Sequence, residues 1–346
     1  MKLETDIFPA FIQPAAPIVF ESSGYFIPYL SIALQSMINS SSPDTNYDVI
    51  ILCDKVKDID KERLLGLLCD HENFSLRFFD VSGFVSGFIK SARYSYITVN
   101  YYRMALPWIL KNYDRAVNLG ADILIKKDIN TLCTREFTRE DAFLAGAPDL
   151  GYIGRLKEDI PQSELDLRFP REYVNADILI FNLKRIRECY SLDEMMAFWQ
   201  KYHFRCAEQD ALNKLFDGHK EMLDLHWNTY PDRMTSTVDI MCTTEEEIAL
   251  WKECLKDPAL VHFAAVPKPW SYPVIGYGDD WWKLARQSLY YEEILRRMAN
   301  QKSKRNSSFR EMLDLTLPKG TQRRELAKKL KPVEKWGLNT RKKTSL

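Results

Sequence analysis

The sequence predicts an α/β protein with a mixed, mainly parallel sheet flanked by helices. Short apolar runs at 18–20 and 49–52 are typical of buried strands, and between them residues 30–38 carry apolar side chains at the i, i+3, i+4 spacing of an amphipathic helix. A strand, a helix and a second strand in this order form the βαβ unit of nucleotide-type folds. The polar turn expected at 21–25 lacks both G-x-G-x-x-G and the Walker A pattern, which excludes a dinucleotide fingerprint and a P-loop.

The rest of the chain continues this alternation of strands and helices. We expect a helix over 59–68, a helix that opens near Thr98 and contains Pro107, and helices at 191–201, from 207 onward and at 245–255. Ser191 is expected to cap the third of these. Further strands are expected at 74–81, 116–119, 123–125, 143–149, 173–183 and 259–261.

Composition bounds the class of protein. With 346 residues, the chain can form one large α/β domain or two smaller ones, and its 46% hydrophobic and 28% charged residues are ordinary for a globular protein. The seven cysteines are scattered and form no C-x-x-C pair, which favours reduced thiols over a disulfide scaffold or a zinc site. The N-terminal segment is acidic and interrupted by prolines, so it does not resemble a secretory signal peptide. We therefore expect a cytoplasmic protein.

Charge is distributed unevenly along the chain. Residues 301–346 contain 14 Lys and Arg against four Asp and Glu, a net of +10, so residues 1–300 carry −10.

We expect an extension at 1–14, a main domain at 15–285 and a helical, basic extension at 286–346. A short basic helix at 323–330 favours either attachment to an anionic inner membrane leaflet or a solvated, disordered tail, and RNA binding is disfavoured because no RNA-recognition motif is present.

The stretch 113–132 holds the first candidate site residue. Asp122 follows a predicted buried strand and precedes the apolar run 123–125, and an acid between two such strands is costly to bury unless a positive group lies against it. A divalent cation carrying phosphates satisfies that requirement, because hard cations take oxygen ligands. The alternative is a strand end at which Asp122 points into a solvated turn.

Two later segments favour the cation, and an earlier arginine is compatible with it. Arg103 is either a surface residue or faces a bound anion. Residues 207–213 open a helix with Glu208, Gln209 and Asp210 crowded into its first turns, and compensation of the helix dipole explains the two acids but not the glutamine. His262 at a strand end is followed by Lys268 between two prolines, so one rigid loop offers a ligand nitrogen and a point charge for a phosphate.

Taken together, these residues resemble glycosyltransferase family 8. The resemblance covers roughly 15–285 and is most specific in the H-F-x-x-x-x-K-P-W run at 262–270; the other segments that carry it are Tyr102-Arg103, 119–124, Asn175-Ala176 and Gln209-Asp210 with Asn213. It implies a GT-A, Rossmann-like fold and a retaining hexosyltransferase that uses a nucleotide sugar, commonly UDP-glucose or UDP-galactose. The bacterial members that build lipopolysaccharide or other surface glycans look closest, which implies a saccharide or glycolipid acceptor.

The resemblance also implies roles for individual residues. The metal ligands are Asp122, as the second acid of a D-x-D motif, and His262, with Mn²⁺ or Mg²⁺ as the ion. Lys268 contacts the diphosphate. The remaining donor-binding residues are Ser23, Tyr25, Arg103, Ala121, Asp149 and Asn175.

The same resemblance places Gln209 beneath the anomeric carbon. An uncharged amide is a poor nucleophile, so we favour front-face attack with Gln209 stabilising the oxocarbenium ion, and Glu208 and Asp210 are the alternative nucleophiles. The departing diphosphate needs a cation and Lys268 to neutralise its charge.

Five positions depart from the family pattern. Gly120 replaces the first acid of D-x-D, and Asp177 replaces the glycine that follows Asn-Ala. Ser23 stands in place of an acid that reads the base, with Tyr25 in place of a usual asparagine, and Ala265 replaces a glycine. These changes predict a weaker metal site, and they keep open a second hypothesis: a non-catalytic relative that binds sugar nucleotides or assembles a glycan-synthesis complex.

Overall fold

A seven-stranded sheet in the order β3-β2-β1-β4-β7-β6-β8 organises the chain. The computed structural model describes residues 6–12, 15–54, 56–85, 97–151, 165–202, 204, 206–231, 244–264 and 267–305. β7 is antiparallel to both of its neighbours, and the other pairs in the sheet are parallel. The predicted mixed, mainly parallel sheet with flanking helices is therefore confirmed.

The strands follow the apolar runs of the sequence. They are β1 Ile18–Ser23, β2 Tyr47–Asp54, β3 Phe74–Asp80, β4 Arg115–Leu119, β5 Ile123–Ile125, β6 Leu144–Pro148, β7 Val174–Asn182, β8 Lys220–Met222 and β9 Leu260–His262. β5 and β9 form a separate antiparallel pair.

The helices alternate with these strands. They are α1 Ile27–Ser40, α2 Asp58–Leu65, α3 Ser82–Val85, α4 Ile97–Ile109, α5 Asn130–Cys133, α6 Leu183–Cys189, α7 Leu192–Lys201, α8 Ala207–Leu215, α9 Glu245–Cys254, α10 Gly278–Ala285 and α11 Tyr291–Arg305. α7 begins with the expected cap, because Ser191 and Glu194 form a capping box.

Helices cover both faces of the sheet. The main hydrophobic core packs residues of α4, α6, α7 and α8 against β1, β2, β4 and β7, and it includes the fully buried Phe181 and Phe216. Val49 precedes the core residue Ile50 on β2, so its side chain points to the opposite face of the sheet. There it lies beside Leu34 and Met37 of α1. Burial on both faces explains why the central strands read as continuous apolar runs.

The sheet changes its winding direction between β1 and β4. From β1 the chain proceeds to β2 and β3 on one side, and then returns to β4 on the other side. Ligands in open α/β sheets bind in the crevice that such a switch leaves at the carboxyl ends of the strands. Asp122 follows β4 at this end, and the antiparallel β7 enters the sheet there.

Two features differ from the expectations. The predicted polar turn at 21–25 begins later, because β1 continues to Ser23 and buries Glu21. The short strand β8 was not predicted, since its sequence, Lys-Glu-Met, has no apolar run.

The chain divides into two compact units, residues 1–294 and 295–346. All strands that the structure describes belong to the first unit. The predicted basic helix at 323–330 lies outside the described residues. In the described part of the chain, no helix has both the length and the apolar character needed to cross a membrane.

Candidate functional site

Asp122 lies at the centre of a charged cluster in the crevice between β1 and β4. Lys268 donates to its carboxylate and also to the carbonyl of Phe263, at 2.6 Å. Burial raises the pKa of Asp122, but Lys268 and His262 outweigh that effect and hold the pKa well below its usual range. Asp122 is therefore a carboxylate opposed by positive charge and not a solvated turn residue.

His262 faces the same carboxylate from β9. The register of the β5–β9 pair sets His262 opposite Ile123, and the imidazole is 1% exposed. Its Nε2 lies 3.5 Å from a carboxylate oxygen of Asp122 and 3.5 Å from one of Asp177. This nitrogen has no hydrogen-bond partner among the described residues. Burial lowers the pKa of His262, but the two carboxylates raise it to about 9.

Asn228 fixes the orientation of the imidazole. Its amide nitrogen donates to the carbonyl of Pro148 at 3.2 Å and to the hydroxyl of Tyr230 at 3.3 Å, so its oxygen faces His262. That oxygen lies 2.8 Å from His262 Nδ1, which makes Nδ1 the donor. In the neutral imidazole, Nε2 then keeps a lone pair directed between Asp122 and Asp177, as a metal-binding histidine requires.

Arg103 on α4 is the cation of a second, buried network. Its guanidinium contacts Asp177 at 2.9 Å, Glu208 at 3.0 Å and Glu21 at 3.3 Å. Arg103 is only 6% exposed, so it is not a surface residue. Burial lowers its pKa, but the three carboxylates more than compensate and raise it further.

Gln209 is held in place by three hydrogen bonds. Its amide oxygen accepts from the backbone of Ala176 at 2.9 Å, and its amide nitrogen donates to Asp149 and to the hydroxyl of Tyr173, each at 3.1 Å. Asn175 donates to the same Asp149 oxygen, also at 3.1 Å. The start of β7 and the start of α8 are thus joined by a continuous set of neutral and acidic side chains.

Asp210 and Asn213 support the fold at this position. Asp210 accepts from the Tyr173 hydroxyl at 2.6 Å and from the backbone of Cys206 at 2.7 Å, and it is 1% exposed. Asn213 exchanges two hydrogen bonds, both 2.8 Å, with the backbone of Val174. These contacts fasten α8 to β7 and keep Gln209 beside the crevice.

The other predicted donor-binding residues lie around the cluster. Ser23 ends β1 and is half-buried, whereas Tyr25 is 52% exposed and packs edge-on against Phe26 and Tyr29. Ala121 is half-buried beside Asp122.

One group of residues in this site has the composition of a metal site. A carboxylate oxygen from each of Asp122 and Asp177 and a nitrogen of His262 lie within 4.8 Å of one another. Two carboxylate oxygens and an imidazole nitrogen can bind a divalent cation, and the orphaned Nε2 of His262 is the ligand atom that an ion would satisfy.

A second group with metal-ligand side chains lies elsewhere and fits less well. It consists of Asp224, His226 and Cys254. Burial raises the pKa of the Cys254 thiol to about 11, so this thiol stays protonated, whereas metals bind the thiolate. Among the described residues, no buried side-chain nitrogen or oxygen of this second group lacks a hydrogen-bond partner.

Sequence reasoning missed several members of the site. Glu21, Tyr173, Asn228 and Tyr230 were not singled out, and Asp177 was noted only as a departure from a family pattern. Leu-His-Trp-Asn at 225–228 alternates apolar and polar side chains, a signal that could have drawn attention to Asn228.

Glu208 supplies a testable pH dependence. Burial raises its pKa to about 7, although Arg103 opposes this. Between pH 4.5 and 7 the unfolded state ionises before the folded state does, so stability falls as pH rises through this window and the penalty is constant above it. We expect Glu208→Gln to remove a penalty of about 3 kcal/mol at pH 8 that is absent at pH 4. Urea unfolding of both proteins across this range measures the difference, and the exposed Glu188→Gln is the control. A difference that does not change with pH would contradict the prediction.

Comparison with known proteins identifies the family. A family model described as Glycosyl transferase family 8 matches residues 17–273. The apo structure of the WbbM bifunctional glycosyltransferase superposes with a TM-score of 0.76 at 25% identity, over 85% of this chain and 53% of that one. The galactosyltransferase LgtC in complex with donor and acceptor sugar analogues gives a TM-score of 0.61 at 21% identity, over 79% of this chain and 96% of that one.

A curated relative is similar to the chain over a shorter region. General stress protein A of Bacillus subtilis is 26% identical over 179 residues, 49% of this chain and 58% of the relative. The chain thus spans about half the length of WbbM and somewhat more of the B. subtilis protein. The similarity to the two glycosyltransferase structures confirms the expected GT-A fold. Because the family model covers about three quarters of the sequence, the chain belongs to glycosyl transferase family 8.

Proposed function

We propose that this glycosyltransferase moves a hexose, glucose or galactose, from a UDP-linked donor to a saccharide or glycolipid acceptor with retention of configuration. The observation that carries the proposal is the juxtaposition of Lys268, Asp122 and the orphaned Nε2 of His262 in one crevice. A nucleoside diphosphate needs both a cation site and a fixed positive charge when it departs. Asp122 and His262 offer the cation site, and Lys268, which contacts Asp122, offers the fixed positive charge.

Each residue has a role in this scheme. Asp122 and His262 would hold a divalent cation, which when bound neutralises charge on the diphosphate. Lys268 leaves its contact with Asp122 and binds the diphosphate oxygens. The three hydrogen bonds of Gln209 hold its amide in a fixed position beside the sugar, which supports front-face attack with Gln209 facing the anomeric carbon.

The alternative nucleophiles are less suited to the task. The carboxylate of Asp210 is already engaged by Tyr173 and by a backbone amide, and it is buried. Glu208 is paired with Arg103, and its raised pKa keeps about half of it protonated at neutral pH. We therefore assign neither of them as the nucleophile in the proposed reaction.

The test is turnover of UDP-glucose and UDP-galactose, with GDP- and ADP-sugars for comparison, each with and without Mn²⁺. We expect Mn²⁺-dependent release of UDP that is lost in Asp122→Ala, and NMR of the transferred product is expected to show the donor's anomeric configuration. Ligand binding is followed separately by thermal shift, because stabilisation follows RT ln(1 + [L]/Kd). If no sugar nucleotide is turned over or stabilises the protein, the non-catalytic hypothesis replaces this one.

The location of the reaction is part of the same proposal. Nucleotide sugars and a glycolipid acceptor meet at the cytoplasmic face of a membrane, and the net charge of +10 over residues 301–346 suits an anionic surface there. Surface-polysaccharide synthesis, such as that of lipopolysaccharide, is the setting that we propose.

A further inference from the structure

Gly120 and Asp177 are directly opposite each other where β4 leaves the sheet. β4 and β7 pair antiparallel with Leu119 opposite Ile178, and the backbone N–H of Gly120 donates to the carbonyl of Asp177 at 2.8 Å. Side chains at such opposed positions point to the same face of the sheet. A carboxylate at either position would therefore extend into the same space.

That space is filled by Asp177. A Cβ added to Gly120 would lie 2.9 Å from Cβ of Asp177 and 3.0 Å from its carboxyl carbon, and 3.0 Å from an oxygen of Asp122. The first of these atoms is close to the backbone and cannot move aside easily. The chain therefore has room for a side chain at 120 or for the aspartate at 177, but not for both.

The carboxylate of Asp177 is oriented as a metal ligand is. One oxygen accepts from Arg103 at 2.9 Å, and the other lies 3.5 Å from the unpartnered Nε2 of His262. Ligand atoms about 2.1 Å from a shared ion lie about 3.0 to 3.4 Å from one another, close to the separations seen here. The side chain of Asp177 is 34% exposed, so an ion from solvent can reach it.

We propose that Asp177 supplies, from β7, the carboxylate ligand that the chain lacks at Gly120, so that Asp122, Asp177 and His262 bind one divalent cation. The chain therefore carries this acid on β7, opposite Gly120, and not at the end of β4. Arg103 acts as a positioning residue, because its contact with one oxygen of Asp177 directs the other oxygen towards His262. This inference rests on the proposed function for the identity of the ion, but it is tested without any sugar nucleotide.

The first test is direct binding of Mn²⁺ to the full-length chain, measured by loss of the EPR signal of free Mn²⁺. We expect one site in the natural protein and a Kd raised about 10-fold or more in Asp177→Asn, since even changes outside the coordination shell cost 10–100-fold. Glu21→Gln is the matched control: it also removes a carboxylate next to Arg103, but Glu21 is outside the ligand group. We expect a clearly smaller change there. No Mn²⁺ binding, or equal effects of the two variants, overturns the proposal.

The second test exchanges the two residues. Asp177→Gly is expected to weaken Mn²⁺ binding at least about 10-fold, and Gly120→Asp added to it is expected to restore the affinity. Gly120→Asp alone is expected to lower Tm, because Asp177 occupies the space that its Cβ needs. If the double variant binds Mn²⁺ as weakly as Asp177→Gly does, Asp177 only supports the fold. That result would overturn the proposal.

These readouts separate the proposal from the proposed function. Mn²⁺ binding that depends on Asp177, in a protein that turns over no sugar nucleotide, supports the ligand exchange and contradicts the transferase activity. Turnover of a sugar nucleotide, in a protein whose Mn²⁺ binding does not depend on Asp177, supports the transferase activity and contradicts the ligand exchange.

Discussion

Replacing Lys268 by alanine is expected to lower turnover of the UDP-sugar donor by about 100- to 1000-fold. Loss of a single group that stabilises developing charge in an enclosed site has an effect of this size. Lys268 is well placed for that task, because its ammonium group is held in the crevice by Asp122 and by the carbonyl of Phe263. The decrease should be mainly in kcat, since the charge on the diphosphate grows as the bond to the sugar breaks.

The same variant should bind Mn²⁺ alone more tightly. In the absence of an ion, Lys268 is itself the cation that compensates Asp122. Removing it leaves a half-buried carboxylate with less opposing charge, so an ion no longer competes with the ammonium group. Turnover and Mn²⁺ affinity therefore change in opposite directions, which a variant that merely disrupts the site would not show.

Lys126→Ala is the matched control for this prediction. Lys126 forms an ion pair with Asp280 at 2.7 Å, with both side chains more than a third exposed, and exposed pairs contribute little. Steady-state kinetics and EPR titration of the two variants make the comparison. If Lys268→Ala keeps more than about a tenth of the natural kcat, Lys268 is not a principal stabiliser of the leaving group.

Much of the fold could be predicted because it follows from local pattern. Runs such as 49–52 are buried on both faces of the sheet and so read as continuous apolar segments. The helix that begins near residue 207 was recognisable from its acidic first turn. The convergence of Asp122 and His262 was inferred from a family pattern, and the pairing of β5 with β9 provides its structural reason.

The remaining features depend on strand register, which the sequence does not display. Glu21 looked like a turn residue, and its burial depends on Arg103, which is 82 residues away in the chain. The loss of the acid at Gly120 and the gain of Asp177 looked like two independent departures. Only the antiparallel alignment of β4 with β7 shows that they concern the same space.

The position of Lys268 depends on an aromatic cluster formed by Tyr29, Trp270, Trp281 and Trp282. Trp270 stacks on Tyr29 with ring centroids 4.0 Å apart and lies 5.6 Å from Trp281, and Trp282 donates to the carbonyl of Pro269 at 3.0 Å. The cluster thus holds both residues that follow Lys268 in the chain.

Close packing at the start of α10 sets where Trp281 enters this cluster. A Cβ at Gly278 would lie 2.1 Å from the carbonyl oxygen of Pro273, so only glycine allows this approach. Trp281 is then fully buried on the inner face of α10. The helix and the loop that carries Lys268 are therefore packed as one body.

Trp281→Ala is expected to destabilise the protein by about 3–5 kcal/mol, the usual cost of removing a fully buried tryptophan. Chemical denaturation measures this value, and Leu289→Ala, at a residue that is 68% exposed, should stay within about 0.5 kcal/mol of the natural protein. Trp281→Phe should cost less than alanine, because an aromatic ring still contacts Trp270. A cost below about 1 kcal/mol for alanine would mean that the cluster is loosely packed.

The same variant distinguishes the position of Lys268 from its charge. Measured well below Tm, Trp281→Ala should weaken binding of UDP with Mn²⁺, because the loop loses the ring against which Trp270 packs. Lys268→Ala should weaken the same binding and, unlike Trp281→Ala, should tighten binding of Mn²⁺ alone, since it removes the charge that opposes Asp122. If Trp281→Ala binds UDP as tightly as the natural protein does, the loop is held by its two prolines and by the contacts of Lys268 itself. The aromatic cluster would then contribute only to stability.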